Sequence, residues 1–223
     1  MSDPSATASD AHFWDKTAQK YASSPISDQP GYDRTLQKTT SLLTPNSSVL
    51  ELGCGTGGTA ISLARSTANV ARFLATDISA GMIDIAKAKT SQAETPALEF
   101  RVATAEGLVD EYRGSFNAVV AFNYLHLVRD LGGTLRSVHA LLAPGGLFVS
   151  KTVCIKGMRF GGVLGTVGIP VMRMVGLAPF CASFDARELR ARIEEAGFEV
   201  VEVEYHGTKG KDARPFVVAR KVG

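Results

Sequence analysis

Four glycines within six residues follow directly on a short apolar segment of the chain. Residues 48–52 (Ser-Val-Leu-Glu-Leu) have the pattern of a buried β-strand, and the glycines stand at positions 53, 55, 57 and 58. Glycine adopts positive φ angles without strain and lets backbone amides approach a ligand closely. The first N–H groups of the helix that follows have no intrahelical partner and favour negative charge. The cluster therefore predicts a loop that holds a large, partly anionic cofactor, since a plain turn would need only one glycine.

Asp77 ends the next predicted strand and can accept hydrogen bonds from both hydroxyls of a ribose. Such an acid suits NAD and S-adenosylmethionine equally, and Gly53, Gly55 and Gly58 formally match the spacing of dinucleotide-binding loops. A purely structural role for Asp77, next to a helix start at Ser79, is the alternative. The chain lacks the Gly-Lys-Ser/Thr phosphate clamp, and this excludes ATP hydrolysis of the P-loop kind.

Helix and strand patterns alternate along most of the chain, which is typical of a parallel sheet covered by helices on both faces. Strands are predicted at 48–52, 70–76, 98–103, 116–122, 147–152, 198–205 and 215–220. Helices are predicted at 11–21, 31–43, 60–65, 80–89, 131–142 and 186–196. The polar segment 206–212 suits the end of an antiparallel hairpin. The predicted fold class is therefore α/β, with a doubly wound, mostly parallel sheet and an antiparallel last strand.

Length and composition are those of a globular protein with one large domain or two small ones, and the cysteines favour a reducing, cytoplasmic location. The 223 residues are 45% apolar and 21% charged, enough to bury a sizeable core. The formal net charge of +2 disfavours nucleic acid as a partner. Three distant cysteines give neither a disulfide framework nor a zinc site. No apolar run is long enough to span a membrane, and the polar residues 1–10 predict a disordered tail rather than a targeting signal.

Six segments in a fixed order resemble the class I S-adenosylmethionine-dependent methyltransferases. The glycine loop, Glu51 to Gly57, looks like the first motif of that family, and 76–79 (Thr-Asp-Ile-Ser) is similar to its second. Four later segments resemble the regions around the third to sixth strands, namely 102–108, 116–126, 142–146 and 196–198. The resemblance runs from about residue 11 to the C-terminus. It implies a Rossmann-like sheet of seven strands, S-adenosylmethionine as cofactor and transfer of its methyl group.

The resemblance also assigns roles around the glycine loop. The backbone of Gly53, Cys54 and Gly55 would pack against the methionine part and the ribose of the cofactor. Asp77 would hold the two ribose hydroxyls. This assignment gives the loop and the acid one shared ligand.

The remaining implied cofactor contacts concern the adenine and the methionine end. Ile78 would lie on one face of the adenine, and Ala105 would meet its edge through the backbone. Thr104 stands where many relatives carry an aspartate that accepts the adenine amino group, and its shorter, uncharged hydroxyl can accept too. Asn123 would face the methionine end, and Tyr21 would close over it.

His126, just after the fourth predicted strand, is the candidate general base if the acceptor is a phenol or an alcohol. An imidazole with an ordinary pKa of about 6.5 can take up a proton near neutral pH. A histidine that only packs between helix and sheet is the alternative. Tyr124 is predicted either to hydrogen-bond the acceptor or to pack, and His206 is expected on a surface loop. No His, Asp and Glu cluster has metal-ligand spacing, so no metal is expected.

Residues 156–183 interrupt the alternation and are predicted to form a substrate-side insertion, with 11–44 as an N-terminal helical cap on a single domain, 11–223. The apolar side chains of the insertion 156–183, with Trp14 and Tyr21, indicate an aromatic or lipid-like small molecule as acceptor. A contact of this segment with a membrane surface is a further alternative. The predicted enzyme methylates an O or N atom of that molecule. The alternatives are an NAD-dependent oxidoreductase and a cofactor-binding domain without methyl transfer. No feature indicates an oligomeric state.

Overall fold

The computed structural model of the protein describes residues 4–67, 70–91, 94–157, 178–208 and 213–223. Within these residues one sheet contains the strands β1 (Ser48–Leu52), β2 (Arg72–Asp77), β3 (Leu98–Val102), β4 (Phe116–Phe122), β5 (Leu142–Lys151), β6 (Phe198–Glu204) and β7 (Phe216–Lys221). The helices of the same ranges are α1 (Pro4–Ser23), α2 (Gln29–Leu42), α3 (Gly58–Ser66), α4 (Ala80–Ala88), α5 (Ala105–Tyr112), α6 (Leu131–Leu141) and α7 (Ala186–Glu195). Short 3₁₀ turns lie at Leu125–Leu127 and Ile155–Gly157.

The strand order in the sheet is β3-β2-β1-β4-β5-β7-β6. Strands β1 to β5 run parallel to their neighbours among themselves, and β7 is antiparallel to both β5 and β6. The chain moves outward from β1 to β3 and then returns to the other side of β1 with β4. At such a switch point the connections diverge and leave a crevice beyond the carboxyl ends of the strands. The predicted seven-stranded, doubly wound sheet with an antiparallel last strand is confirmed.

Both faces of the sheet are buried under helices, which explains why the central strands are almost continuously apolar. On β1, Leu50 packs in the layer that includes α5, α6 and α7, whereas its neighbour Val49 packs in the layer that includes α3 and α4. Phe148 and Val149 of β5 divide between the two layers in the same way. This alternation specifies the strand register, because a shift by one residue would exchange the two faces.

Polar side chains determine where most of the helices begin. The hydroxyl of Ser79 accepts a hydrogen bond from the N–H of Met82, and side-chain caps also precede α2, α5 and α6. Asp185 and Glu188 form a reciprocal capping box at α7. Each cap of this kind contributes about 1 kcal/mol. The caps predicted at Ser79 and Asp185 are confirmed.

Helix α1 is longer than its apolar periodicity indicates. It begins at Pro4, so the expected disordered tail is wrong for residues 4–10, and residues 1–3 lie outside the described ranges. Helix α1 is held by an ion pair at Asp10, since Nε and Nη2 of Arg129 donate to its two carboxylate oxygens at 2.7 and 2.8 Å. This contact ties the first half of α1 to the rest of the domain.

Other elements differ less from the sequence expectation. Helix α5 is not predicted, because its eight residues are too few for a periodicity argument. Strand β5 begins at Leu142 rather than at 147, since Leu142 pairs with Phe116 before a register shift. Most of the predicted insertion, 158–177, lies outside the described residues. All three cysteines are free, and no described helix has the length and apolar character needed to cross a membrane.

Candidate active site

A cavity of about 810 Å³ opens at the carboxyl ends of the first four strands. Leu52 of β1, Asp77 of β2 and Phe122 of β4 lie in its wall, together with Ala103 directly after β3. Two aromatic side chains of α1 and the segment 179–181 contribute further walls. The cavity therefore occupies the crevice that the strand order creates at the switch point between β1 and β4.

The glycine loop brings backbone to the floor of this cavity. Gly53, Gly55 and Gly57 have φ angles of 68°, 51° and 78°, in the left-handed region that favours glycine. A Cβ atom added at Gly53 would lie 2.6 Å from Cδ2 of Tyr124, and one at Gly57 would lie 2.8 Å from Cβ of Ala86. The loop thus needs glycine for its backbone conformation and, at these two positions, for space.

Asp77 presents its carboxylate to the cavity from the end of β2. Its two oxygens accept hydrogen bonds from the N–H groups of Gly55 and Ser79, each at 2.9 Å. Burial raises the pKa of the Asp77 carboxyl, and the N–H groups of Ser79 and Gly55 act against that shift. Each carboxylate oxygen can accept more than one hydrogen bond, so the group can hold the loop and still accept from a ligand.

Glu51, one residue before the end of β1, is a buried acid with an unpartnered carboxyl oxygen among the described residues. Only 2% of the residue is exposed, and its Oε2 atom has no hydrogen-bond partner among the described residues. Burial, and then the charge of Asp77, raise the pKa of Glu51 to about 8. A carboxyl with this pKa keeps its proton near neutral pH and carries little charge.

Ile78, directly after β2, and Thr104, after β3, both line the cavity. The Thr104 hydroxyl accepts a hydrogen bond from the N–H of Gly107 as the cap of α5. Ala105 is fully buried and its side chain does not line the cavity. Glu106, which sequence reasoning missed, does line it, and its Oε1 accepts from the hydroxyl of Thr134 at 2.6 Å. Its place beside Thr104 in the same motif was the available signal.

Tyr21 and Asn123 both line the cavity, and Tyr21 lies near the glycine loop. Cε1 of Tyr21 lies 3.6 Å from the Cβ position of Gly55. Asn123 has a φ of 52° and donates its N–H to the carbonyl of Lys151 at 2.7 Å, which turns the chain sharply at the end of β4. Asparagine tolerates this backbone conformation better than most residues. Both side chains line the cavity.

Tyr124 and His126 lie in the cavity wall just after β4. Burial raises the pKa of the Tyr124 phenol well above its usual value and lowers the pKa of His126 to about 4. Nδ1 of His126 lies 2.8 Å from Oγ1 of Thr152, and the backbone N–H of His126 donates to the same oxygen at 3.2 Å. Thr152 is fully buried and was not expected from the sequence.

Cys54 is not brought into this cavity. It lines a second one, of about 420 Å³, together with Tyr32, Lys89 and Lys151. Its N–H donates to the carbonyl of Thr76 at 2.9 Å and is not available to a ligand. The predicted contact of Cys54 with the cofactor is therefore not supported by its position in the loop. Tyr21 and Asn123 line both cavities, so the two adjoin.

The roof of the cavity includes residues that sequence reasoning did not select. Asp10 and Arg129, joined by the ion pair described above, both line it. The guanidinium of Arg129 also lies 5.0 Å from the ring centre of Phe180. Together these contacts connect α1, the loop before α6 and the segment after residue 178. Asp10 and Arg129 are 119 residues apart in the sequence, so no local pattern could predict their contact.

Two other histidines have structural partners. His206 is fully buried, with Nδ1 2.9 Å from Oγ1 of Thr35 and Nε2 2.9 Å from Oε2 of Glu204, so its expected place on a surface loop is wrong. His139 packs edge to face on Phe198 with ring centres 5.2 Å apart. Within the described ranges, no three His, Cys, Asp or Glu side chains are arranged to hold a metal ion.

The arrangement fits a cofactor that contains a ribose. The backbone of Gly53 and Gly55 lines the cavity, and the carboxylate of Asp77 beside it can accept hydrogen bonds from ribose hydroxyls. This geometry suits the ribose of S-adenosylmethionine or of a dinucleotide.

Comparison with known proteins identifies the chemistry as methyl transfer. A family model described as a methyltransferase domain matches residues 20–203. The chain is 31% identical over 157 residues to the ubiquinone biosynthesis O-methyltransferase of Pseudomonas aeruginosa (strain UCBPP-PA14), and the aligned region covers 70% of this chain and 66% of that protein. It is 36% identical over 134 residues to a hybrid PKS-NRPS synthetase of Neonectria sp. (strain DH2), and this aligned region covers 56% of this chain but only 3% of that protein.

A solved structure shows the same fold. The trans-methyltransferase CalH in complex with SAH superposes with a TM-score of 0.66 and 23% identity, covering 86% of this chain and 58% of that chain. The family match extends over most of the chain, from the end of α1 to the end of β6. The chain therefore belongs to the class I S-adenosylmethionine-dependent methyltransferases, with S-adenosylmethionine as its cofactor.

Proposed function

We propose that the protein transfers the methyl group of S-adenosylmethionine to an oxygen or nitrogen atom of an aromatic or lipid-like small molecule. The observation that carries this proposal is the composition of the cavity wall beyond the glycine loop. Besides His126, the wall contains the apolar side chains of Trp14, Leu127, Val128, Pro179 and Phe180. A few polar groups in an apolar wall are typical of sites for small molecules. A relative that is named as an O-methyltransferase supports oxygen as the accepting atom.

The cofactor would be held by the residues that surround the loop. Asp77 would accept from the ribose, Ile78 would lie on the adenine, and Thr104 and the backbone of Ala105 would meet its edge. Tyr21, Gly53, Gly55 and Asn123 would contact the methionine part, and Cys54 would act only through the conformation of the loop. When bound, the cofactor supplies a methyl group that the positive charge on sulfur has already activated. The protein must then align the acceptor at roughly 3–3.5 Å and exclude water.

We infer that His126 and Tyr124 contact the acceptor. Burial lowers the pKa of His126 to about 4, so its ring is neutral near pH 7 and adds no positive charge beside a cationic cofactor. Burial likewise raises the pKa of Tyr124, so its phenol keeps its proton and can donate a hydrogen bond. A neutral histidine can either take a proton from the acceptor or donate one hydrogen bond to it.

We also propose the wider organisation predicted from the sequence. Residues 11–44 would act as a helical cap on a single domain, since Trp14 and Tyr21 cover the cavity. Residues 156–183 would select the acceptor, and Phe180 at their described end lies in its wall. The free thiols support a reducing, cytoplasmic location. The family match removes the NAD-dependent oxidoreductase as an alternative.

Formation of S-adenosylhomocysteine with a panel of phenols, carboxylic acids, alcohols and amines tests this function. We expect turnover with at least one aromatic or lipid-like member, and a loss of about 100-fold or more in His126→Ala. His139→Ala, which removes a histidine outside the cavity, is the matched control. Cofactor binding without turnover of any acceptor would instead favour a binding domain that does not transfer methyl.

A further inference from the structure

Thr152 and His126 face each other at the ends of two neighbouring strands. Strands β4 and β5 are parallel, with Phe122 opposite Lys151, so the residues that follow them emerge side by side. Oγ1 of Thr152 accepts the backbone N–H of His126 at 3.2 Å and lies 2.8 Å from its Nδ1. Thr152 is fully buried, so no solvent can replace either contact.

The hydrogen atoms in this contact can be counted. A threonine hydroxyl has one hydrogen to donate and two lone pairs to accept with. The described residues give the Thr152 hydroxyl no acceptor other than Nδ1 of His126. If Nδ1 carried a proton, the hydroxyl would accept twice and its own hydrogen would be buried without a partner among the described residues. That penalty makes this tautomer at least about tenfold less populated than the one with the proton on Nε2.

We propose that Thr152 is a positioning residue that holds His126 as the Nε2–H tautomer, so that the ring donates a hydrogen bond to an acceptor oxygen that is already ionised. The proposal rests on the proposed methyl transfer and narrows its substrate class to carboxylates and acidic phenols. A base would need a lone pair on Nε2, and this tautomer has none there. His126 is thus a donor that orients the oxyanion.

The transfer step balances without a base. The ionised oxygen forms a new bond to the methyl carbon while the bond between that carbon and sulfur breaks, and the electron pair of the broken bond stays on sulfur. The negative charge of the oxygen and the positive charge of the sulfur cancel. No proton leaves the acceptor, and His126 keeps its Nε2 proton throughout.

The tautomer can be measured without any turnover. The chain has four histidines, so ¹⁵N-histidine labelling and two-bond ¹H–¹⁵N correlation, with His126→Asn for assignment, identify the protonated nitrogen of His126. We expect Nε2 to carry the proton in the wild type and in Thr152→Ser, which keeps the hydroxyl. Thr152→Val removes the hydroxyl at nearly the same volume, and we expect the Nδ1–H form to appear. A wild-type spectrum with Nδ1 protonated would overturn the proposal.

The substrate class is tested with phenols of graded acidity at one pH, together with aliphatic carboxylates. We expect the rate of S-adenosylhomocysteine formation to follow the ionised fraction of the phenol, with un-ionised alcohols inactive. Thr152→Val should lose at least about tenfold in kcat at unchanged KM for the cofactor, and Thr152→Ser should recover most of it. Equal rates with un-ionised and ionised acceptors would overturn the substrate class. No turnover of any acceptor, beside an Nε2–H spectrum, would overturn the proposed function while leaving the tautomer in place.

Discussion

Replacing Glu51 by glutamine should remove a large pH dependence of stability that originates in the core. Glu51 is 2% exposed, and burial raises its pKa to about 8. In the unfolded chain the same carboxyl has its ordinary pKa of about 4.5. Between these two values the folded protein keeps a proton on Glu51 that the unfolded chain releases. Glutamine has nearly the same shape and does not titrate.

The sign and size of the effect follow from linkage. A carboxyl whose pKa is higher in the folded state favours folding fully below its unfolded pKa, and that contribution is lost as the pH rises to the folded pKa. One pKa unit corresponds to about 1.36 kcal/mol, so a shift from 4.5 to about 8 corresponds to about 5 kcal/mol over this range. Asp77, whose pKa is also raised, titrates in both proteins and largely cancels in the comparison.

Urea unfolding of the cofactor-free protein at pH 5 and at pH 8 measures the difference. The free energy of unfolding should fall by several kcal/mol more in the wild type than in Glu51→Gln. Glu99→Gln serves as the matched control, because its side chain on β3 is 56% exposed, and it should follow the wild type. If Glu51→Gln and the wild type lose stability in parallel, to within about 1 kcal/mol, the buried carboxyl is not protonated and the reasoning fails.

Three further changes probe the site and its supports. Asp77→Asn should weaken S-adenosylhomocysteine binding by about 10- to 100-fold in calorimetric titration, because it removes charge-assisted hydrogen bonds. The control Asp15→Asn, which alters the same turn outside the cavity, should bind normally, and equal losses in both variants would indicate damage to the loop alone. Asp10→Asn and Arg129→Met should show a coupling of about 1–3 kcal/mol in a double-mutant cycle of urea unfolding, and additive losses would contradict the roof ion pair. Gly53→Ala should destabilise the fold by at least about 1 kcal/mol more than Gly145→Ala, since both have positive φ but only the first meets Tyr124; equal losses would mean that Tyr124 yields freely.

The elements that could be predicted from the sequence are those with local causes. Strands β1 and β4 have the predicted bounds because each is a short apolar run between turn residues. Helix α4 begins as predicted, since the hydroxyl of Ser79 caps it within one turn. The first turns of α1 could not be predicted, because they have no apolar periodicity and the ion pair of Asp10 joins the helix to Arg129, 119 residues away. Local chemistry thus places an element, whereas contacts between distant residues leave no local signal.

The same distinction applies within the site. Parallel strands bring their carboxyl ends to one edge, so a sequence that locates β1, β2 and β4 also locates Gly53, Asp77 and His126 at that edge. Whether a residue there faces the cavity depends on backbone turns that the sequence does not specify, and so Cys54 and the side chain of Ala105 lie outside it. The tautomer of His126 depends in addition on the side chain that packs against its Nδ1 atom.

Thr152 illustrates why that step matters for chemistry. Its place after β5 follows from strand pairing, but only the structure shows that its hydroxyl meets both the backbone and the ring of His126. A carboxylate at that position would accept the Nδ1 proton and leave a lone pair on Nε2, whereas a hydroxyl with no other acceptor donates and leaves a proton there. A pattern that selects a histidine as a candidate therefore does not specify whether its ring accepts a proton or donates a hydrogen bond. Whether His126 acts as a base or as a hydrogen-bond donor depends on where one hydroxyl hydrogen of Thr152 points. The spectrum of His126 is therefore more informative than the loss of activity in its alanine variant.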